Sequence, residues 1–77
     1  MLDVARQAIA AEVRAALARH NKTQRDLAAV LRVDQASTWA RLRGKRSFRA
    51  EEIVAISVWL DMPAEALLPG SAEQVAA

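Results

Sequence analysis

The 77-residue chain has no cysteine and no tyrosine, and it contains only two glycines, two prolines and one histidine. Without cysteine the chain forms neither a disulfide framework nor a thiolate metal site, which fits the reducing cytoplasm. The scarcity of glycine, together with eighteen alanines, favours helices. At this length only one small hydrophobic core can form, so a single domain is expected.

Long hydrophobic runs are also missing. The longest charge-free stretch with many large apolar side chains, residues 53–60, has eight residues, against about 20 needed to cross a bilayer. Asp3 and Arg6 interrupt the N-terminus, which has no continuous apolar segment and therefore does not resemble a secretory or transit signal. These features predict a cytoplasmic protein that does not enter a membrane.

The residues that enzymes use for catalysis are scarce as well. His20 is the only histidine, and the chain has no glycine-rich phosphate loop and no nucleophile elbow. Glu51 and Glu52 are adjacent, so on a helix their side chains do not face each other across a site. We therefore expect a protein that is not an enzyme and that requires neither a cofactor nor a metal ion.

Charge is distributed unevenly along the chain. Residues 14–49 carry ten lysines and arginines against two aspartates, a net charge of +8, whereas residues 50–77 carry five acidic residues and no basic one. Five of the basic residues fall within residues 41–49. This segment is either a surface that binds a polyanion or a solvated face that keeps the protein in solution, and charge alone does not separate the two.

Hydrophobic spacing predicts an all-α domain of five helices. Helix 1 lies within residues 3–20, helix 2 runs from about residue 24 to residue 32, and helix 3 covers residues 35–43. Helix 4 follows a basic loop at residues 44–49 and buries Ile53, Ile56 and Leu60, and a short helix 5 begins at Pro63 and adds Leu67 and Leu68 to the core. The domain occupies residues 1–70, and residues 71–77 are expected to be a flexible tail.

Capping residues mark where these helices begin and end. Asn21 is suited to a left-handed C-terminal cap, and Thr23 with Asp26 three residues later forms a pattern close to a capping box. Asp34 is suited to cap helix 3, which Gly44 ends. Helices 2 and 3, joined by a turn of three to four residues, therefore form a helix-turn-helix arrangement.

The order Thr23-Gln24-x-x-Leu27-Ala28, with Gln35 eleven residues after Gln24 and Gly44 after helix 3, resembles the lambda-repressor and Cro-like (XRE-type) helix-turn-helix family. The resemblance covers roughly residues 9–69 and extends to small phage and actinobacterial repressors. It implies that helix 3 enters the major groove of double-stranded DNA while helix 2 crosses the phosphates.

The resemblance also suggests which side chains contact DNA. The base-reading residues are expected to be Gln35, Ala36, Trp39, Ala40 and Arg43, and the phosphate-binding residues Lys22, Gln24, Ser37, Lys45 and Arg46. Gln24 is expected to orient the amide of Gln35. Trp39 is as suited to packing as to a groove contact, and Arg43 to a guanine edge or a phosphate, so these alternatives stay open.

Three positions depart from the family pattern. Arg49 stands where a hydroxyl or acidic residue often caps helix 4, so either Ser47 is the cap or the cap is absent. Arg32 stands where glycine is usual and would need a left-handed backbone, and Arg41 stands where an aliphatic residue is usual, which leaves the rotation of helix 3 open. The sequence predicts a sequence-specific transcription regulator, a small phage or bacterial repressor that binds a palindromic operator as a homodimer. The alternative is an antitoxin-like or antirepressor module that uses the same fold to bind a protein.

Overall fold

A computed structural model describes residues 2–68, which form four α-helices and one turn of 3-10 helix, with no strand among them. The elements are α1 (Leu2–Arg19), α2 (Gln24–Leu31), α3 (Gln35–Leu42), α4 (Ala50–Trp59) and the 3-10 turn (Ala64–Leu67). This confirms the all-helical prediction. The predicted bounds of the first three helices agree with the structure to within one or two residues.

The turn between α1 and α2 forms through local interactions of its own residues. Asn21 has a left-handed backbone with φ of 56°, and the Lys22 N–H donates to the carbonyl of Leu17 at 2.9 Å. Thr23 and Asp26 then form the predicted capping box: the Asp26 N–H donates to the Thr23 hydroxyl at 3.1 Å, and the Thr23 N–H donates to the Asp26 carboxylate at 2.8 Å. These bonds satisfy helix-end groups that would otherwise lack partners.

The core lies where the inner faces of the helices meet. Its buried side chains are Val13, Ala16 and Leu17 of α1, Leu27 of α2, Leu42 of α3, Ile53 and Ile56 of α4, Leu60 and Leu67. The predicted inward residues of α4 are therefore confirmed. Arg14 extends from α1 to the far end of α3, where its guanidinium donates to the carbonyl of Leu42. Contacts with α1, α2 and α4 thus hold α3 against the body of the domain.

The fifth helix is shorter and tighter than predicted. It is the single 3-10 turn, and Leu68 after it has an extended backbone with φ of −103° and ψ of 105°. Pro69 follows, and a residue before proline is disfavoured in the α conformation, which explains the early end. Leu67 is buried, but the side chain of Leu68 faces solvent, so the prediction that both leucines complete the core was wrong. The predicted tail at residues 71–77 lies outside the described residues.

Some large apolar side chains remain at the surface. Leu2 and Val4 are exposed at the start of α1, and Val54 and Val58 are exposed on the outer face of α4. The two valines give α4 more apolar surface than the core uses. Among residues 2–68, no helix combines the length and the apolar character that crossing a bilayer requires.

Candidate nucleic-acid interface

Two eight-residue helices, α2 and α3, are joined by three residues. Arg32, the first of these three joining residues, has φ of 57° and ψ of 42°, the left-handed conformation that its place in the sequence predicts. The Val33 N–H then donates to the carbonyl of Ala28 at 3.2 Å. Asp34 ends the turn and caps α3 by accepting a bond from the Ser37 N–H at 2.7 Å. The direction of α3 relative to α2 is therefore set by this tight turn.

The two capping aspartates are held in their ionised form. Hydrogen bonds from backbone N–H groups, chiefly that of Thr23 for Asp26 and that of Ser37 for Asp34, lower the pKa of each carboxyl. A negative charge at the first turn of a helix also interacts favourably with the positive end of the helix dipole. Near neutral pH both caps are therefore charged and intact.

The rotation of α3, which the sequence left open, places its predicted base-reading residues outward. Thr38 and Leu42 face the core, and the Thr38 hydroxyl donates to the carbonyl of Asp34 at 2.9 Å. On the opposite side the predicted residues are exposed or half-buried, namely Gln35, Ala36, Trp39, Ala40 and Arg43. We call this set the outer face of α3. Of its members only Ala40 is half-buried.

The predicted pairing of two glutamines is present at one end of the outer face. The Gln24 amide nitrogen lies 3.2 Å from the carbonyl oxygen of Gln35 and 3.4 Å from its side-chain oxygen. Gln24 thus spans from the first turn of α2 to the first turn of α3. The contact restricts Gln35 to orientations that keep its side-chain nitrogen free to donate elsewhere.

At the other end of the outer face, an exposed tryptophan lies beside two cations. The Trp39 side chain is 43% exposed, and its ring centroid lies 5.9 Å from the Arg43 guanidinium and 5.6 Å from the Lys45 ammonium. Attraction between a cation and the face of an aromatic ring acts over such distances. Trp39 on α3 therefore contacts Lys45 of the loop at residues 44–49 and does not pack into the core.

The predicted phosphate-binding residues are spread around this face. Lys45 and Arg46 are exposed in the loop after α3, whereas Gln24 and Ser37 are half-buried. Lys22 is exposed and its ammonium lies 5.5 Å from the ring centroid of Trp59 at the end of α4. The structure thus groups Gln24 with Gln35 and Lys45 with Trp39, while Lys22 lies beside a different element.

Arg41 is buried, unlike the other basic residues within residues 41–49, which are exposed. It is only 5% exposed, and its guanidinium forms two bonds with the buried carboxylate of Glu52, Nε to Oε1 at 3.0 Å and Nη2 to Oε2 at 3.1 Å. Counting Arg41 in an exposed basic surface was therefore wrong. Helical spacing contained the signal, since a residue three positions after inward-facing Thr38 lies on the same side of the helix.

Comparison with known proteins identifies no matching family model and no significantly similar curated protein or solved structure. Within residues 2–68 no group of three or more histidine, cysteine, aspartate or glutamate side chains is arranged to hold a metal ion. The features of the described residues that bear on function are the geometry and charge of the outer face of α3 and of the loop beside it.

Proposed function

We propose that this protein is a sequence-specific double-stranded DNA-binding transcription regulator, a small repressor that acts by occupying an operator. The observation that carries the proposal is the outer face of α3. It presents amide, guanidinium and small apolar side chains on one exposed side of a short helix, next to an exposed basic loop. This combination of groups matches what the edges of base pairs offer in the major groove.

The chemistry of base recognition follows from these side chains. Gln35 has a donor and an acceptor to match N7 and N6 of adenine, and its contact with Gln24 restricts its orientation before binding. Ala36 and Ala40 are small enough to pack against thymine methyl groups. Arg43 extends from the end of α3 toward a guanine edge or a phosphate, and Trp39 beside it contributes apolar contact area.

Charge on the neighbouring loop supplies the binding to phosphates that does not depend on sequence. Lys45 and Arg46 are exposed after α3, and Arg49 is exposed before α4. Such residues bind phosphate oxygens and release counterions from the duplex. Exposed acidic residues lie both at the starts of α2 and α3, where Asp26 and Asp34 are caps, and on and after α4, where Glu51, Asp61 and Glu65 follow the loop.

A direct test is selection of bound duplexes from a random pool, followed by affinity measurements on the enriched sequence. We expect a defined consensus, and a palindrome would indicate two chains related by a two-fold axis. The variant Lys45→Ala/Arg46→Ala should bind all sequences more weakly. The control Arg19→Ala removes an exposed positive charge at the end of α1, outside the proposed contacts, and should have a smaller effect. Failure to enrich any sequence would contradict the proposal.

The exposed valines of α4 favour a second possibility, the antitoxin-like or antirepressor module that binds a protein. Val54 and Val58 lie one helical turn apart on α4, and both side chains are exposed. Apolar side chains exposed together often mark protein contacts. If function requires these valines and tolerates Lys45→Ala/Arg46→Ala, a protein partner is favoured over DNA. The same valines suit the second copy that the proposed homodimer needs.

A further inference from the structure

A buried network of hydrogen bonds joins α3 to the start of α4. At its centre is the two-bond contact of Arg41 and Glu52, and both residues are less than one-tenth exposed. The third guanidinium nitrogen, Nη1 of Arg41, donates to the carbonyl of Ser37 at 3.2 Å, one turn back along α3. Glu52 Oε1 also accepts from the Arg49 N–H at 2.9 Å, where α4 begins.

The network therefore makes contacts on both sides of the basic loop. The loop at residues 44–49 begins shortly after Arg41, which lies on α3, and ends shortly before Glu52, which lies on α4. The ion pair closes this loop at its base, because its two members lie eleven residues apart in the chain and bond directly. Every described buried side-chain nitrogen and oxygen in residues 2–68 has a hydrogen-bond partner, so the network contains no unsatisfied group there.

Stability alone does not explain why an ion pair occupies this position, because an apolar pair can be equally stable. Removing two charges from water carries a desolvation cost, and well-packed apolar replacements for a buried ion pair are often neutral or stabilising. A guanidinium and a carboxylate joined by two parallel bonds, however, have only one favourable relative orientation. Leucine and methionine side chains pack in several orientations and would allow α3 to rotate slightly about its axis.

We propose that Arg41 and Glu52 form a positioning pair that fixes the rotation of α3 and the base of the 44–49 loop, and thereby determines sequence discrimination by the outer face of α3. The inference rests on the proposed DNA-binding function and deepens it. Neither residue contacts DNA in this proposal. Their effect is exerted through Gln35 and Arg43, whose contacts with base edges require placement within a fraction of an ångström.

The test compares the parent with the double variant Arg41→Met/Glu52→Leu, in which net charge is unchanged. The ratio of affinity for the selected consensus to affinity for random duplex should fall by about tenfold or more. Affinity for random duplex and its salt dependence should stay the same, since the exposed basic residues remain. The matched control Arg19→Gln/Glu65→Gln removes one exposed charge of each sign and should leave the ratio unchanged.

Amide hydrogen exchange of the free proteins supplies an independent measurement. In the double variant, exchange should become faster in residues 36–49 and remain as in the parent in α1. Arg41→Lys keeps the charge but lacks the planar fork, so it should also reduce the specificity ratio. A merely structural role would instead lower thermal stability together with the affinities for the consensus and for random duplex. Measuring stability and both affinities therefore distinguishes a structural role from a positioning role.

Three outcomes would overturn the inference. If the double variant folds and discriminates as well as the parent, the pair does not position the outer face of α3, and the proposed function is unaffected. If the double variant does not fold, the pair acts through stability and not through positioning. If the parent binds no duplex at all, the proposed function itself is wrong and the inference falls with it.

Discussion

Gln35 is the residue at which the proposed recognition is most directly testable. We expect Gln35→Ala to cost about 1–3 kcal/mol of binding free energy per half-site and to relax the preference at one base pair, because the proposed contact of its amide with adenine has two hydrogen bonds. His20→Ala, at an exposed residue that follows α1, is the control. Competition binding on single-base operator variants measures the effect, and equal losses on specific and random duplex would contradict a base-reading role.

Arg32 carries local strain in the turn that leads to α3. Its left-handed backbone, with φ of 57°, is unfavourable for a residue with a Cβ and acceptable for glycine. We expect Arg32→Gly to raise the free energy of unfolding by up to about 1 kcal/mol, partly offset by the greater freedom of glycine in the unfolded chain.

A matched alanine variant separates backbone strain from charge at the same position. Arg32→Ala removes the guanidinium but retains the Cβ, so it should not gain the stability of the glycine variant. Urea denaturation of the three proteins measures the difference. A glycine variant clearly less stable than the parent would show that the turn does not hold this conformation. If both variants weaken DNA binding equally, the charge of Arg32 contributes to the interface.

At the scale of single elements, the two short helices depend on their caps. Asp34 closes the first turn of α3 by accepting the Ser37 N–H, and this bond lowers the pKa of the carboxyl. A carboxyl with a lowered pKa in the folded state stabilises the fold above its unfolded pKa, and this stabilisation is lost as the pH falls through the folded value. The parent should therefore lose stability below about pH 4 in part through this group.

Replacing the cap with a neutral residue should reduce that pH dependence. Asparagine caps helices about as well as aspartate but does not titrate in this range. The Asp34→Asn variant should therefore lose less stability than the parent as the pH falls from about 5 to about 2. Urea denaturation at several pH values measures both proteins. Identical pH profiles would show that the ionised Asp34 cap does not contribute to the stability of α3.

At the scale of the whole molecule, binding strength should depend steeply on salt. Lys22, Arg43, Lys45 and Arg46, with groups of α2, are expected to neutralise about four to five phosphates per chain. For a dimer, a plot of log affinity against log salt concentration should have a slope of about −7 to −9. Arg46→Ala should reduce the slope by about one unit per chain.

The buried ion pair supplies the control for that measurement. Arg41 is buried inside the protein, so Arg41→Met/Glu52→Leu should leave the slope unchanged. The measurement is a titration of a labelled duplex at several salt concentrations. A slope shallower than about −2 for the parent would exclude the exposed basic residues as a phosphate-binding surface.

Two chains are expected to bind each operator. A single eight-residue recognition helix covers few base pairs, and paired helices reach half-sites about 34 Å apart. Sedimentation of the complex at saturation should show two chains per duplex. Val54→Gln/Val58→Gln, on exposed apolar positions of α4, should weaken binding of the second chain. Val4→Gln, at an exposed valine of α1, is the control. One chain per duplex in the parent would contradict dimeric binding.

Local sequence determined much of the fold. The capping box at Thr23, the cap at Asp34 and the left-handed residues Asn21 and Arg32 all depend on neighbours a few positions away, so spacing alone predicts them. The outward placement of Gln35 also follows from helical periodicity once Thr38 and Leu42 face inward. These features set the ends and the direction of the two helices that carry most of the predicted site.

Only the tertiary structure decided which polar residues are buried together. Arg41 and Glu52 are eleven positions apart on different helices. Helical spacing indicates that Arg41 faces inward, but no local pattern identifies Glu52 as its partner. The burial of Leu67 and the exposure of Leu68 likewise depend on how the 3-10 turn packs against α1 and α4. Caps and helix periodicity are properties of neighbouring residues. Burial of an ion pair instead depends on whether a distant helix brings the partner that offsets its desolvation.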